Sequence, residues 1–219
     1  MNVEPEVLVV AALVVALTSI VQGLIGFGAN LIAAPVLTLL DTDLIPGPVF
    51  VAALVLTIGG ALREQGHIDR PVVGWATVGR VPGVVIGGLV LAAASDTSLQ
   101  VLVGATILVA VALSASRLDI AEHRVSWVTA GAISGFGATT AAIGGPPMAL
   151  VLQHRSGPVV RSTLSAFFVF GSLLTIPAIA LAGRFGADEL WAGLALAPGA
   201  LAGFALSSRM RPLVDAGRL

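Results

Sequence analysis

GFGATTAAIGGPPMAL, residues 135–150, places four glycines and two adjacent prolines inside an otherwise apolar run. In a helix interior Gly costs about 1 kcal/mol and Pro about 3 kcal/mol relative to Ala. A helix that only crosses a membrane has no use for either. The reading of this stretch decides the fold: one crossing helix, or a helix broken where unpaired backbone is most expensive.

The surrounding composition fixes the solvent. The chain is 57% hydrophobic and 11% charged, against about a quarter charged in soluble domains, with a mean hydropathy of +1.01. Apolar segments at about 7–25, 28–40, 47–62, 72–94, 98–116, 126–137, 139–152, 162–182 and 187–207 approach the ~20 residues that span a bilayer. Residues 1–219 therefore read as a single all-α transmembrane domain of about seven to nine membrane segments. The first segment follows Glu4 and Glu6 rather than basic residues, and reads as a retained span, not a signal peptide.

All eleven basic residues are Arg. Alternating the segments places nine on one side: Arg63, Arg70, Arg117, Arg124, Arg155, Arg161, Arg209, Arg211 and Arg218. Arg184 falls opposite, with Asp41, Asp43 and Asp96, and Arg80 lies within a span. The positive-inside rule then puts the N-terminus outside and the C-terminus in the cytoplasm, in a plasma or inner membrane. Trp75, Trp127 and Trp191 lie near segment starts, where interfacial anchors are expected.

The two halves align. VQGLIGFGANLIAAPVL (21–37) matches ISGFGATTAAIGGPPMA (133–149) without gaps, pairing Gly23 with Gly135 and Pro35 with Pro147. WATVGRVPGVVIG (75–87) matches WAGLALAPGALAG (191–203) in the same order. Repeat one is about 7–95, repeat two about 126–211, and 98–116 is the odd connecting helix. The Arg map makes the copies inverted, an architecture of secondary transporters with a site where broken helices meet near the midplane. As one helix, residues 126–152 reach ~40 Å, and a single crossing would separate Arg124 from Arg155. The sequence instead predicts two hairpins, turning at Gly23–Gly28 and at Gly135–Thr140, with short helices starting near Gly28 and Thr139. Irregular backbone at that depth survives only when buried in protein or lining a cavity.

Helix N-termini carry unpaired N–H groups and partial positive charge, so two facing tips form an anion site without a basic side chain. The expected substrate-binding residues are Gln22, Gly26, Phe27, Gly28 and Asn30 at the first tip. At the second they are Ser134, Gly135, Gly137, Thr139, Thr140, Gly144, Gly145 and Pro146. Arg80 joins them as the one ionisable residue deep in a span, a site candidate by default. The bland alternative is that Gly and Ala permit close packing while Ser and Thr bond the preceding turn. With no Cys or Tyr, and with His67, His123 and His154 all in loops, an intramembrane enzyme lacks its nucleophile and base. The chain reads as a non-enzyme. Nothing in it points to a cofactor, a metal or nucleic acid.

GLIGFGANLIAAPVL, SGFGATTAAIGGPPMALVL and RSTLSAFF (161–168) together resemble the sulfite exporter TauE/SafE family of membrane permeases, in its branch with a GFG-type first motif and a GGPP second motif. Gly26, Phe27, Gly28 and Pro35 match the first motif, and Gly144, Gly145, Pro146 and Pro147 the second. The resemblance implies export of sulfite or a related organosulfur or carboxylate anion; the alternatives are a passive anion channel or an importer of the same anions. It implies as partners a small anionic substrate and the lipid bilayer. Ala29-Asn30 stands where many members have further glycines. The second copy also reads as lacking an equivalent of 98–116, and the expectation is either weaker packing of that copy or a homo-oligomeric partner.

Overall fold

A computed structural model describes residues 3–116 and 118–215. Among these it contains nine α-helices and no strand. They are α1 (Pro5–Ile25), α2 (Ala29–Leu40), α3 (Gly47–Arg63), α4 (Arg70–Ala93), α5 (Asp96–Ala115), α6 (Arg124–Ala141), α7 (Gly145–Val151), α8 (Gly157–Leu181) and α9 (Ala187–Asp215). Six of the helical stretches are long and apolar enough to cross a membrane.

Local chemistry sets the ends. Pro lies in the first turn of α1, α3, α4, α7 and α8, where its missing N–H costs nothing. Asp69 accepts from the Val72 N–H at 3.3 Å to start α4, and His123 Nδ1 accepts from Ser126 to start α6. Outside the bilayer segments, Arg155 holds the preceding loops together, reaching Glu122 at 2.8 Å and Asp69 at 3.4 Å. Its hydrogen bond to Glu122, with those charges, raises its pKa above the ordinary Arg value.

Two parallel seams of small residues tie the helices together. In the α4–α6 seam, a methyl group on Gly79, Gly83 or Gly131 would collide with the carbonyl oxygens of Val128, Ala132 and Ala76 respectively. In the α1–α9 seam, Gly199 and Gly203 stand against the carbonyl oxygens of Ala12 and Ala16 in the same way. In lipid there is little hydrophobic drive between helices, so close backbone approach supplies the packing energy. α5 is peripheral, with Val101, Leu108 and Val109 exposed.

The break between α1 and α2 falls where the sequence expects it. Gly26 (φ +99°) ends α1 and Gly28 (φ +103°) starts α2, both in the left-handed region that glycine alone enters freely. The second break is displaced. α6 continues through Gly135–Thr140 and stops at Ala142, and α7 begins at Gly145 rather than near Thr139. Glycine's propensity cost is offset there because Gly131 and Gly135 lie in the α4 seam. Pro146–Pro147 enforce the stop, with Ala142 left-handed at φ 58°. The legs are thus unequal, ~27 Å for α6 and ~10 Å for α7 at 1.5 Å per residue. The left-handed residues Gly26 and Ala142 lie four positions further apart than the pairing of Gly23 with Gly135 has it.

Gly83→Ala should lower the thermal midpoint of the purified protein, because the added methyl meets backbone that cannot move aside and overpacking costs about 1–3 kcal/mol. Gly104→Ala, on α5 with no atom within 4 Å of the new methyl, should leave it unchanged or raise it. Equal midpoints for the two variants would refute the seam account.

Candidate functional site

The two breaks touch. Asn30, in the first turn of α2, donates its side-chain N–H to the Ala142 carbonyl at 2.9 Å, across 112 residues of sequence. Phe27 packs against Gly145, whose added methyl would lie 2.8 Å from the ring.

Beside this contact lies a cavity with about 50 Å³ open to the centres of water-sized molecules. A single water needs roughly 10–15 Å³ on that measure, so the space suits a few waters or one small polyatomic ion. Its wall includes Gln22, Phe27, Gly28 and Asn30 from the first break, Gly144, Gly145 and Pro146 from the second, and Arg80 from α4. α3 adds Phe50, Ala53 and Thr57, and α8 adds Phe168 and Ser172.

The two sides offer different donors. In α2 the first backbone bond back to the helix start runs from Ile32 to Gly28, which leaves the first-turn amides without a helical acceptor. In α7 the first turn holds Pro146 and Pro147, which have no N–H to give. The α7 tip therefore offers fewer amide donors than the α2 tip, keeping the N–H groups of Gly144 and Gly145 but none at Pro146 and Pro147.

Arg80 is 1% exposed. Its Nη1 reaches Ser134 Oγ at 3.5 Å and its Nη2 reaches Thr175 Oγ1 at 3.4 Å, both long. Its guanidinium carbon stands 4.8 Å from the Phe167 ring centroid, and its Nε has no partner. Gly171 makes the room, since any side chain there would overlap the guanidinium. No carboxylate pairs with Arg80 among the described residues. Burying an ion costs several kcal/mol even after relaxation, and a desolvated cation–π contact returns about 2 kcal/mol.

Ser134 joins the cation to the break, donating to the Gly144 carbonyl at 2.6 Å while facing Arg80 Nη1. The other expected residues stand behind the wall. Gly26 presses on the Arg161 backbone, and Gly135 on the Arg80 carbonyl. A methyl on Gly137 would lie 2.5 Å from the Ile143 carbonyl oxygen. Thr139 and Thr140 spend their hydroxyls on the carbonyls of Gly135 and Phe136, each at 2.9 Å. The sequence reasoning missed Phe50, Thr57, Phe168 and Ser172. Phe168 closes the RSTLSAFF stretch, the one signal that pointed toward α8.

The family model described as Sulfite exporter TauE/SafE matches residues 11–219. The chain belongs to the sulfite exporter TauE/SafE family. No curated protein and no solved structure matches it. As a TauE/SafE member with six helices long and apolar enough to cross a bilayer among its described residues, it is a multi-pass membrane transporter of the sulfite or anion type.

Gly145→Val should abolish transport while the protein still inserts and elutes as a single species, because the larger side chain drives Phe27 out of the contact between the breaks. Wild-type flux in this TauE/SafE variant would mean that the contact is not part of the transport cycle.

Proposed function

We propose that this protein exports a small oxyanion, sulfite or a related organosulfur or carboxylate anion, held between the Arg80 guanidinium and the first-turn amides of α2. One observation carries the reading: a fully buried cation, with no carboxylate partner among the described residues, forms part of a cavity wall made by both helix breaks. A transported anion supplies the missing counter-charge. Gln22 and the second amide hydrogen of Asn30 add donors along the wall, Thr57 and Ser172 spend their hydroxyl protons on the Leu54 and Phe168 carbonyls, and Phe27, Phe50 and Phe168 make the rest apolar.

The helix pairs support two inverted copies joined by α5. α1 lies against α9 as α6 lies against α4, and each break is followed by a short helix. The charges support an N-terminus outside and a C-terminus in the cytoplasm. Arg63, Arg161 and Arg211 gather at one end of the bundle around Glu64. At the other end, Arg184 donates to the Ala94 carbonyl at 2.7 Å. In that orientation the inside-negative potential drives anion export, by about 2.3 kcal/mol per charge per 100 mV, and no coupling ion is needed.

Proteoliposomes should carry a saturable flux of one anion among sulfite, sulfate, sulfoacetate and acetate, and little chloride. Arg80→Gln should lower that flux roughly 10–100-fold, the equivalent of the 1.5–3 kcal/mol of a charged hydrogen bond, with Arg80→Lys in between. Undiminished flux in Arg80→Gln would overturn the site. A flux that never saturates would favour a passive channel.

A further inference from the structure

Arg80 has a counterpart that the central site does not absorb. Arg63, the last residue of α3, stacks its guanidinium carbon 4.1 Å from the Phe204 ring centroid, as Arg80 stacks on Phe167. Its Nη1 faces two hydroxyls, Ser208 at 3.0 Å and Ser207 at 3.5 Å, as Arg80 faces Ser134 and Thr175. Its Nε is buried without a partner, again like that of Arg80. The adjacent Glu64 does not serve it. That carboxylate is forked by Arg161, through Nε at 3.1 Å and Nη2 at 2.9 Å, and also takes Arg211. Arg63 instead spends Nη2 on the Gly23 carbonyl at 2.8 Å.

Arg63 also lies close to the central cavity along its own helix. Thr57, six residues earlier on the same helix, lines the central cavity, about 9 Å away at 1.5 Å per residue. Gly23 follows Gln22, another cavity residue. Ser208, on the far side of Arg63, is exposed. In the orientation proposed above α3 ends at the cytoplasmic face, so an anion bound for export and moving along α3 meets Arg63 before it reaches Thr57 and the cavity.

We propose that Arg63 forms a second anion site, a way-station for the same small oxyanions between the central cavity and the membrane face where α3 ends. Phe204, Ser207 and Ser208 complete it. This rests on the anion-transport reading above and adds a residue outside the central cavity. The chemistry it recognises, a compact oxyanion, is shared by a lipid phosphate; the placement between cavity and surface favours the soluble anion.

The natural absence of Cys makes the test direct. Ser208→Cys puts one thiol beside Arg63 in an otherwise unaltered chain, and its modification by methanethiosulfonate ethylsulfonate is followed in phosphatidylcholine liposomes. Sulfate, sulfoacetate or acetate should slow the reaction at least fivefold at saturation. Arg63→Gln should remove that protection, and Arg63→Lys, which keeps the charge and guards against misfolding, should weaken it. Protection should persist in Arg80→Gln, where central transport is sharply lowered, so failure of one site is readable apart from the other. Protection by none of the three anions, or protection equal in Arg63→Gln, overturns the proposal. So does protection that appears only when phosphatidylglycerol is added, which would make the site a lipid's.

Discussion

The guanidinium of Arg80 imposes the constraint on which the interior is organised. A charge within a bundle surrounded by lipid is costly to bury, and the protein around it is arranged to accommodate it without neutralising it. Gly171 yields its side-chain volume, Phe167 offers a ring face, and Ser134 and Thr175 offer oxygens at the limit of hydrogen-bond length. Ser134 then passes the constraint on by holding the Gly144 carbonyl at 2.6 Å. The charge and the backbone break are thereby one unit, and a change at either is felt at the other.

Everything further out keeps that unit in place. The α4–α6 seam brings Arg80 to the broken helix, because glycine at positions 79, 83 and 131 lets two backbones approach within contact. The α1–α9 seam does the same for the first break, whose Asn30 and Phe27 reach across to Ala142 and Gly145. A polar interior of this kind gains little stability from its hydrogen bonds alone, since intrahelical and interhelical partners compete in the membrane. Its specificity comes instead from small residues that admit one arrangement only.

Much of this was legible in the chain. The hydropathy, the paired Gly/Pro clusters and the lone intramembrane Arg identify a broken-helix transporter, and eight of the expected residues line the cavity: Gln22, Phe27, Gly28, Asn30, Arg80, Gly144, Gly145 and Pro146. The exact place of the second break was not legible. Gly135 and Gly137 look like breakers by propensity, yet Gly135 packs closely on α4 and Gly137 on the Ile143 carbonyl and Thr106, and the true stop waits for Ala142 and the two prolines. The loss of amide donors at Pro146–Pro147 shows only once α7 is seen to start there. The contributions of α3 and α8 were hidden because Phe50, Thr57, Phe168 and Ser172 are ordinary residues of apolar helices. Only the tertiary arrangement turns them toward the cavity.

Selenite differs from sulfite chiefly in carrying a heavier central atom, and that gives the most direct measurement. Diffraction at the selenium edge, from crystals of the protein grown with selenite, should show an anomalous peak within hydrogen-bond reach of the Arg80 guanidinium and the first turn of α2, lost in Arg80→Gln. A cavity without selenium at saturating selenite, or a peak that persists unchanged in Arg80→Gln, would contradict the assignment of Arg80 as the counter-charge of the transported anion.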